Sequence, residues 1–110
     1  IAQITDTINL ESNEIVFEDG DPGDSMFIIV DGEVRIHKEG KEIATLGDSE
    51  FIGEMAILDQ EPRSASATTQ EETVLLRISG EDFFDLMGSR MDIVQGIMRV
   101  LTMRLREAIA

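Results

Sequence analysis

The chain has 110 residues, 42% hydrophobic and 29% charged, enough for one compact domain with a real core and too few for two. A formal net charge of −14 works against binding to nucleic-acid backbones, whose affinity comes from Lys and Arg neutralising phosphates. No stretch nears the roughly 20 uninterrupted apolar residues of a membrane span, which excludes direct membrane insertion, and the lack of cysteine removes disulfide and thiolate chemistry and points to a reducing, cytoplasmic setting.

The sequence opens at Ile1 rather than Met and reads as one domain over residues 1–110, cut from something longer that could itself be attached to a membrane. Glu14 to Phe17 is expected as a strand, Asp19 to Asp24 as a dense turn, and Met26 to Val30 as a continuously apolar strand. Asp31-Gly32 reads as a two-residue hairpin turn, Glu33 to Glu39 as a strand with one wet face, Gly40-Lys41 as a turn and Glu42 to Leu46 as a further strand. Ser66 to Thr69 and Thr73 to Ile78 read as the last strand pair. Short strands at intervals of about ten residues predict an all-β roll over about residues 14–79. After Ser79, Glu81 and Asp82 favour the start of a helix that Gly88 ends, at about residues 80–88. From Met91 to Ile109 the positions Ile93, Val94, Ile97, Met98, Leu101 and Leu105 recur at helical spacing, with Val100 and Met103 widening the stripe.

The segment from Phe51 to Ala67 carries the chemistry. Gly53 permits close backbone approach, and Glu54 to Leu58 is long enough for a short helix whose free N–H groups favour an anion. Pro62 stiffens the return of the chain, Arg63 offers a planar cationic fork, and Ser64 and Ala65 are small enough to bring their amides close to a ligand. These residue types suit a cyclic phosphodiester without any metal, with Glu54 accepting from a sugar hydroxyl. The basic residues Arg90, Arg99, Arg104 and Arg106 fall in the last stretch of the chain, so the first 89 residues hold only five cations against 21 acids, Arg63 among them.

That segment resembles the phosphate-binding cassette of the cyclic-nucleotide-binding domain family, the β-roll module of catabolite activator-like and protein kinase A regulatory subunit-like proteins. Phe17 to Asp24 followed by Met26 to Val34 is similar to the family's early turn and hairpin, and Leu46-Gly47-Asp48 precedes the cassette as in relatives. The resemblance implies a mainly β fold: an antiparallel roll (jelly roll) of about eight strands with a short cassette helix and two C-terminal helices. It implies a regulatory sensor that binds cAMP in preference to cGMP and shifts its last helix to control an attached effector, with no enzymatic activity and no other cofactor. By the same resemblance Glu54 would bind the ribose 2′-hydroxyl and Arg63 the cyclic phosphate. Gly53, Met55, Ala56, Ser64 and Ala65 complete the ligand-binding set, and Val34 and Leu46 would wall the base pocket.

Simpler roles remain open at the same positions. Arg63 could pair with Glu61 or Asp59 at the surface, Glu54 could merely start a helix, and Ser64 could serve turn geometry alone. The last helix could pack on the roll or form a homodimer, and the whole module could be a structural or dimerisation roll that has lost its ligand. An EF-hand beginning at Asp19 would need Gly where Asp24 stands and Glu where Val30 stands. A single histidine, His37, cannot assemble the several-histidine metal site of roll-shaped enzymes, and no nucleophile has a partner.

Overall fold

The computed structural model describes residues 6–109. Their contacts divide the chain into a strand-rich unit ending at Gly80 and a helical unit beginning at Glu81. Eight strands form the first: β1 (Asp6–Leu10), β2 (Ile15–Phe17), β3 (Ser25–Asp31), β4 (Val34–Lys38), β5 (Lys41–Leu46), β6 (Phe51–Ile52), β7 (Ser66–Thr69) and β8 (Thr73–Ser79). A short helix, α1 (Glu54–Asp59), lies between β6 and β7 and contacts β3. The strands make two antiparallel four-stranded sheets, ordered β1-β8-β3-β6 and β2-β7-β4-β5.

The core is shared by the two sheets. Phe27, Ile29, Ile52 and Leu75 from one sheet and Val34 and Ala67 from the other are all buried, with Ile8, Leu10, Val16, Phe17, Ile36 and Leu46 packed around them. Alternation decides who enters: in β3, Phe27 and Ile29 point into the core cluster while Ile28 between them does not join it.

Several expected connections differ from those observed. The roll begins at Asp6, not near residue 14, because β1 pairs with β8 along its whole length, from Asp6 opposite Arg77 to Leu10 opposite Thr73. Asp31-Gly32 is not a hairpin turn. Its flanking strands, β3 and β4, belong to different sheets, and the chain turns a corner there. Gly32 is required at that corner twice over: its φ is +119°, and a Cβ would lie 2.5 Å from Thr73 Oγ1 and 2.7 Å from the Glu72 carbonyl oxygen. Likewise β7 and β8 are not partners; each belongs to its own sheet. The local hairpin is β4–β5, closed by Glu39 and Gly40 with φ of 53° and 79° and Lys38 opposite Lys41. Two consecutive positive φ values are the mark of the turn type whose twist matches paired strands.

In the helical unit, α2 (Gly80–Ser89) runs through Gly88, and α3 spans Met91–Ile109. Phe83 of α2 is buried and meets Phe84 edge-on, ring centroids 5.8 Å apart. Along α3, Ile93, Val94, Ile97, Val100 and Leu101 are half-buried, whereas Met91, Met98 and Leu105, spaced seven residues apart, are each more than half exposed. No described helix is long and apolar enough to cross a membrane.

Candidate functional site

The cassette starts where β6 ends. Gly53 stands before α1 with φ 84° and ψ 5°, a left-handed conformation that side-chain-bearing residues avoid. Gln60 closes the helix in the same region, with φ 58°. Beyond it, the Asp59 carboxylate accepts from the Glu61 N–H at 2.9 Å and bends the chain toward Pro62 and Arg63. Glu54 and Ala56 face inward and are buried, whereas Met55 is half exposed.

Arg63 is the centre of the arrangement. It is only 6% exposed, in the most acidic part of the chain. Its Nη1 donates to the Gly53 carbonyl at 2.9 Å and its Nη2 to the Ser25 carbonyl at 2.8 Å. The guanidinium lies over the Phe17 ring, 4.3 Å from the centroid. Two glycines make room for it: a Cβ on Gly23 would fall 2.6 Å from Cζ and Nε, and one on Gly53 would fall 2.6 Å from Nη1. Burial pulls the Arg63 pKa below its ordinary value, and Asp24, Asp21 and Glu54 oppose that shift. The group remains a cation at neutral pH, because a guanidinium is effectively always protonated in proteins.

Nε is buried without a hydrogen-bond partner. An orphaned donor on a buried cation is costly, and it fits a site whose acceptor is an anion. Neither Glu61 nor Asp59 takes Arg63 as a surface ion pair; its side-chain hydrogen bonds go to backbone carbonyls.

The backbone of Arg63 is fixed as firmly as its side chain. Its N–H donates to the Asp21 carbonyl at 2.8 Å and its carbonyl accepts from the Gly20 N–H at 2.9 Å, joining the cassette to the acidic turn before β3. Ser64 is exposed and Ala65 half-buried, both next to the start of β7. Val34 is wholly buried in the core and sits opposite Leu46 in the ladder; Leu46 is half-buried. Sequence reasoning did not single out Gly23, Phe17 or Ser25 as neighbours of Arg63, since all three reach it across the fold. The one available signal was the dense Gly-Asp-Pro-Gly turn beside an aromatic residue. His37 hydrogen-bonds Thr68 Oγ1 at 2.8 Å from its Nε2, half-buried on its strand. Among the described residues, no group of three or more His, Cys, Asp or Glu is placed to hold a metal ion.

A model of the cyclic nucleotide-binding domain matches residues 7–90, all of the roll but its first residue, together with the helix after it. The chain belongs to the cyclic nucleotide-binding domain family. It is 38% identical over 98 residues to the cyclic AMP receptor protein of Thermus thermophilus, covering 84% of this chain and 45% of that one. It is 33% identical over 101 residues to the cAMP-dependent protein kinase regulatory subunit of Emericella nidulans, over 90% of this chain and 24% of that one. The crystal structure of the Thermus thermophilus catabolite activator protein superposes with a TM-score of 0.84 at 32% identity, over 94% of this chain and 51% of that one. The chain spans about half the length of each of these relatives or less. The relatives are regulatory proteins, and the eight strands, cassette helix and C-terminal helices match the β-roll of the cyclic nucleotide-binding domain.

Proposed function

We propose that this domain senses a cyclic nucleotide, cAMP in preference to cGMP, and that Arg63 binds its phosphate. The observation that carries this reading is the buried guanidinium with an orphaned Nε, held in a cassette walled by glycines. Glu54, buried one residue after Gly53, takes the ribose 2′-hydroxyl. The amides of Gly53, Met55, Ala56, Ser64 and Ala65 line the sugar and phosphate, and the Leu46 side of the roll, with Val34 behind it, walls the base. The preference for cAMP is supported by two of the relatives, a cyclic AMP receptor protein and a cAMP-dependent protein kinase regulatory subunit. The reading calls for no metal and no catalytic group.

Output from the module passes to an attached effector in the cytoplasm through a change in the position of α3. A ligand that prefers one of two states shifts the balance by its differential affinity. Met91, Met98 and Leu105, spaced seven residues apart and exposed, support a homodimer through that helix.

Calorimetric titration of the nucleotide-free protein with cAMP and cGMP tests this reading. A charge-assisted hydrogen bond is worth about 1.5 to 3 kcal/mol, so Arg63→Ala should weaken binding about ten- to a hundredfold. Glu54→Ala should weaken it as well. Absence of heat with both nucleotides, or affinity indifferent to Arg63→Ala, refutes the assignment and leaves a structural roll.

A further inference from the structure

We infer that Lys38 and Asp19 form a clamp that positions the end of the cassette beyond Arg63; the inference rests on the nucleotide reading above. Lys38 stands at the end of β4, outside the cassette in sequence. Its Nζ donates to the Ser64 carbonyl at 3.0 Å and lies 3.3 Å from the Asp19 carboxylate. Asp19 in turn donates its backbone N–H to Ser66 Oγ at 2.9 Å. Ser64, Ala65 and Ser66 are thus tied from two sides, by an ammonium on their carbonyl face and by the acidic turn at Ser66. Together with the backbone bonds of Arg63 to Gly20 and Asp21, these contacts fix every residue from 63 to 66 except Ala65, which is held between two fixed neighbours.

The ion pair itself stabilises little. Lys38 and Asp19 keep 45% and 36% of their side-chain surface exposed, and such pairs contribute little to folding. What the pair adds is direction: Asp19 holds the ammonium on the one carbonyl whose orientation sets the peptide plane carrying the Ala65 N–H. That amide belongs to the proposed phosphate-binding set, so Lys38 acts on the ligand through the backbone rather than by touching it.

Charge and positioning predict opposite signs for one variant. If Lys38 served only as a nearby positive charge, Asp19→Ala would release it from its counterion, remove a negative charge from an anion site and tighten nucleotide binding. As a clamp, Asp19→Ala loosens the Ser64 peptide and weakens binding.

The test is titration of the 110-residue protein with cAMP and cGMP as wild type, Lys38→Met, Lys38→Arg and Asp19→Ala, beside amide hydrogen exchange of the ligand-free proteins. Lys38→Met and Asp19→Ala are expected to weaken binding about three- to tenfold, the scale of one hydrogen bond. Lys38→Arg restores it, and ligand-free melting temperatures stay within the range of ordinary surface substitutions. Exchange at residues 64–66 should speed up in Lys38→Met and Asp19→Ala while the rest of β7 is unchanged. Wild-type affinity in both variants, or tighter binding by Asp19→Ala, overturns the clamp while leaving the nucleotide reading intact. If the wild type binds neither nucleotide, that reading fails, and exchange alone decides the clamp: faster exchange at 64–66 supports it and unchanged exchange overturns it.

Discussion

Replacing Gly23 by Ala puts a methyl group into the space that the Arg63 guanidinium occupies. The new Cβ would lie 2.6 Å from both Cζ and Nε and 2.9 Å from the Ala56 Cβ, against the roughly 3.5 to 4.0 Å of a normal contact. Gly23 is not among the residues with positive φ, so the backbone accepts Ala and the penalty is steric. The guanidinium must retreat by about 1 Å, enough to break its 2.9 Å and 2.8 Å bonds to the Gly53 and Ser25 carbonyls. Overpacking of this kind costs about 1 to 3 kcal/mol. The smaller entropy of the unfolded Ala chain offsets about 0.4 to 1 kcal/mol of it. The net loss, centred near about 1.3 kcal/mol, lowers the melting temperature of a domain this size by roughly 5 to 10 °C. Nucleotide affinity should fall as far as in Arg63→Ala, since the same donors are displaced. The assay is a thermal melt and a cAMP titration of Gly23→Ala, Arg63→Ala and the double variant. In the double variant the added stability cost of the Gly23→Ala change should shrink to what Ala56 alone imposes. A Gly23→Ala protein that melts and binds like wild type, or costs that simply add, would refute the seat described for Arg63.

Gly32→Ala combines a φ of +119° with a Cβ 2.5 Å from Thr73 Oγ1, so it should cost more than Gly23→Ala, at least about 3 kcal/mol by denaturant melting. The net charge of −14 repels an anionic nucleotide, so its association rate should rise with added salt, and stopped-flow mixing from about 0.02 to 0.2 M salt would read the trend. Asp92 is held below its ordinary 3.8, first by its hydrogen bond from Arg90. A depressed acid stabilises the fold above its unfolded pKa, and that contribution is lost as pH falls through the folded one. NMR titration should therefore place the Asp92 carboxyl below 3.8, and Arg90→Ala should return it toward that value.

Much of the candidate site could be proposed from the sequence because its residues lie in one continuous stretch. Gly53, Glu54, Arg63, Ser64 and Ala65 fall within 13 residues, and the need for a glycine and a small-residue return can be read without knowing the sheets. The strands were legible wherever apolar residues cluster between Gly and Asp, as in β3 and β8. Pairing was not, because strand partners are set by register across the whole chain. Nothing local distinguishes Asp31-Gly32, a corner between sheets, from Glu39-Gly40, a true two-residue turn; the difference lies in Thr73, whose hydroxyl crowds Gly32 from 41 residues away. β1 was missed for the same reason. Its sequence, Asp6-Thr-Ile-Asn-Leu10, is a weak alternation that becomes a strand only with β8 beside it. The seat of Arg63 was equally hidden, since Phe17, Gly23 and Ser25 are far from it in sequence and reach it only through the turn that Gly20 and Asp21 zip to its backbone.

Following the chain, β1, β2, β3 and β4 fall alternately in the two sheets, β4 and β5 share one, and β6, β7 and β8 alternate again. Neither sheet is therefore a segment that could form first and wait for the other. Most pairings join residues far apart in sequence, the condition under which chain-closure entropy slows folding toward the millisecond-to-second range. The interleaving also bears on signalling. The cassette connects β6 of one sheet to β7 of the other, so a ligand that braces it braces both sheets together. Protection from amide exchange on nucleotide binding should accordingly spread through the two sheets as one cooperative unit rather than fade outward from the site.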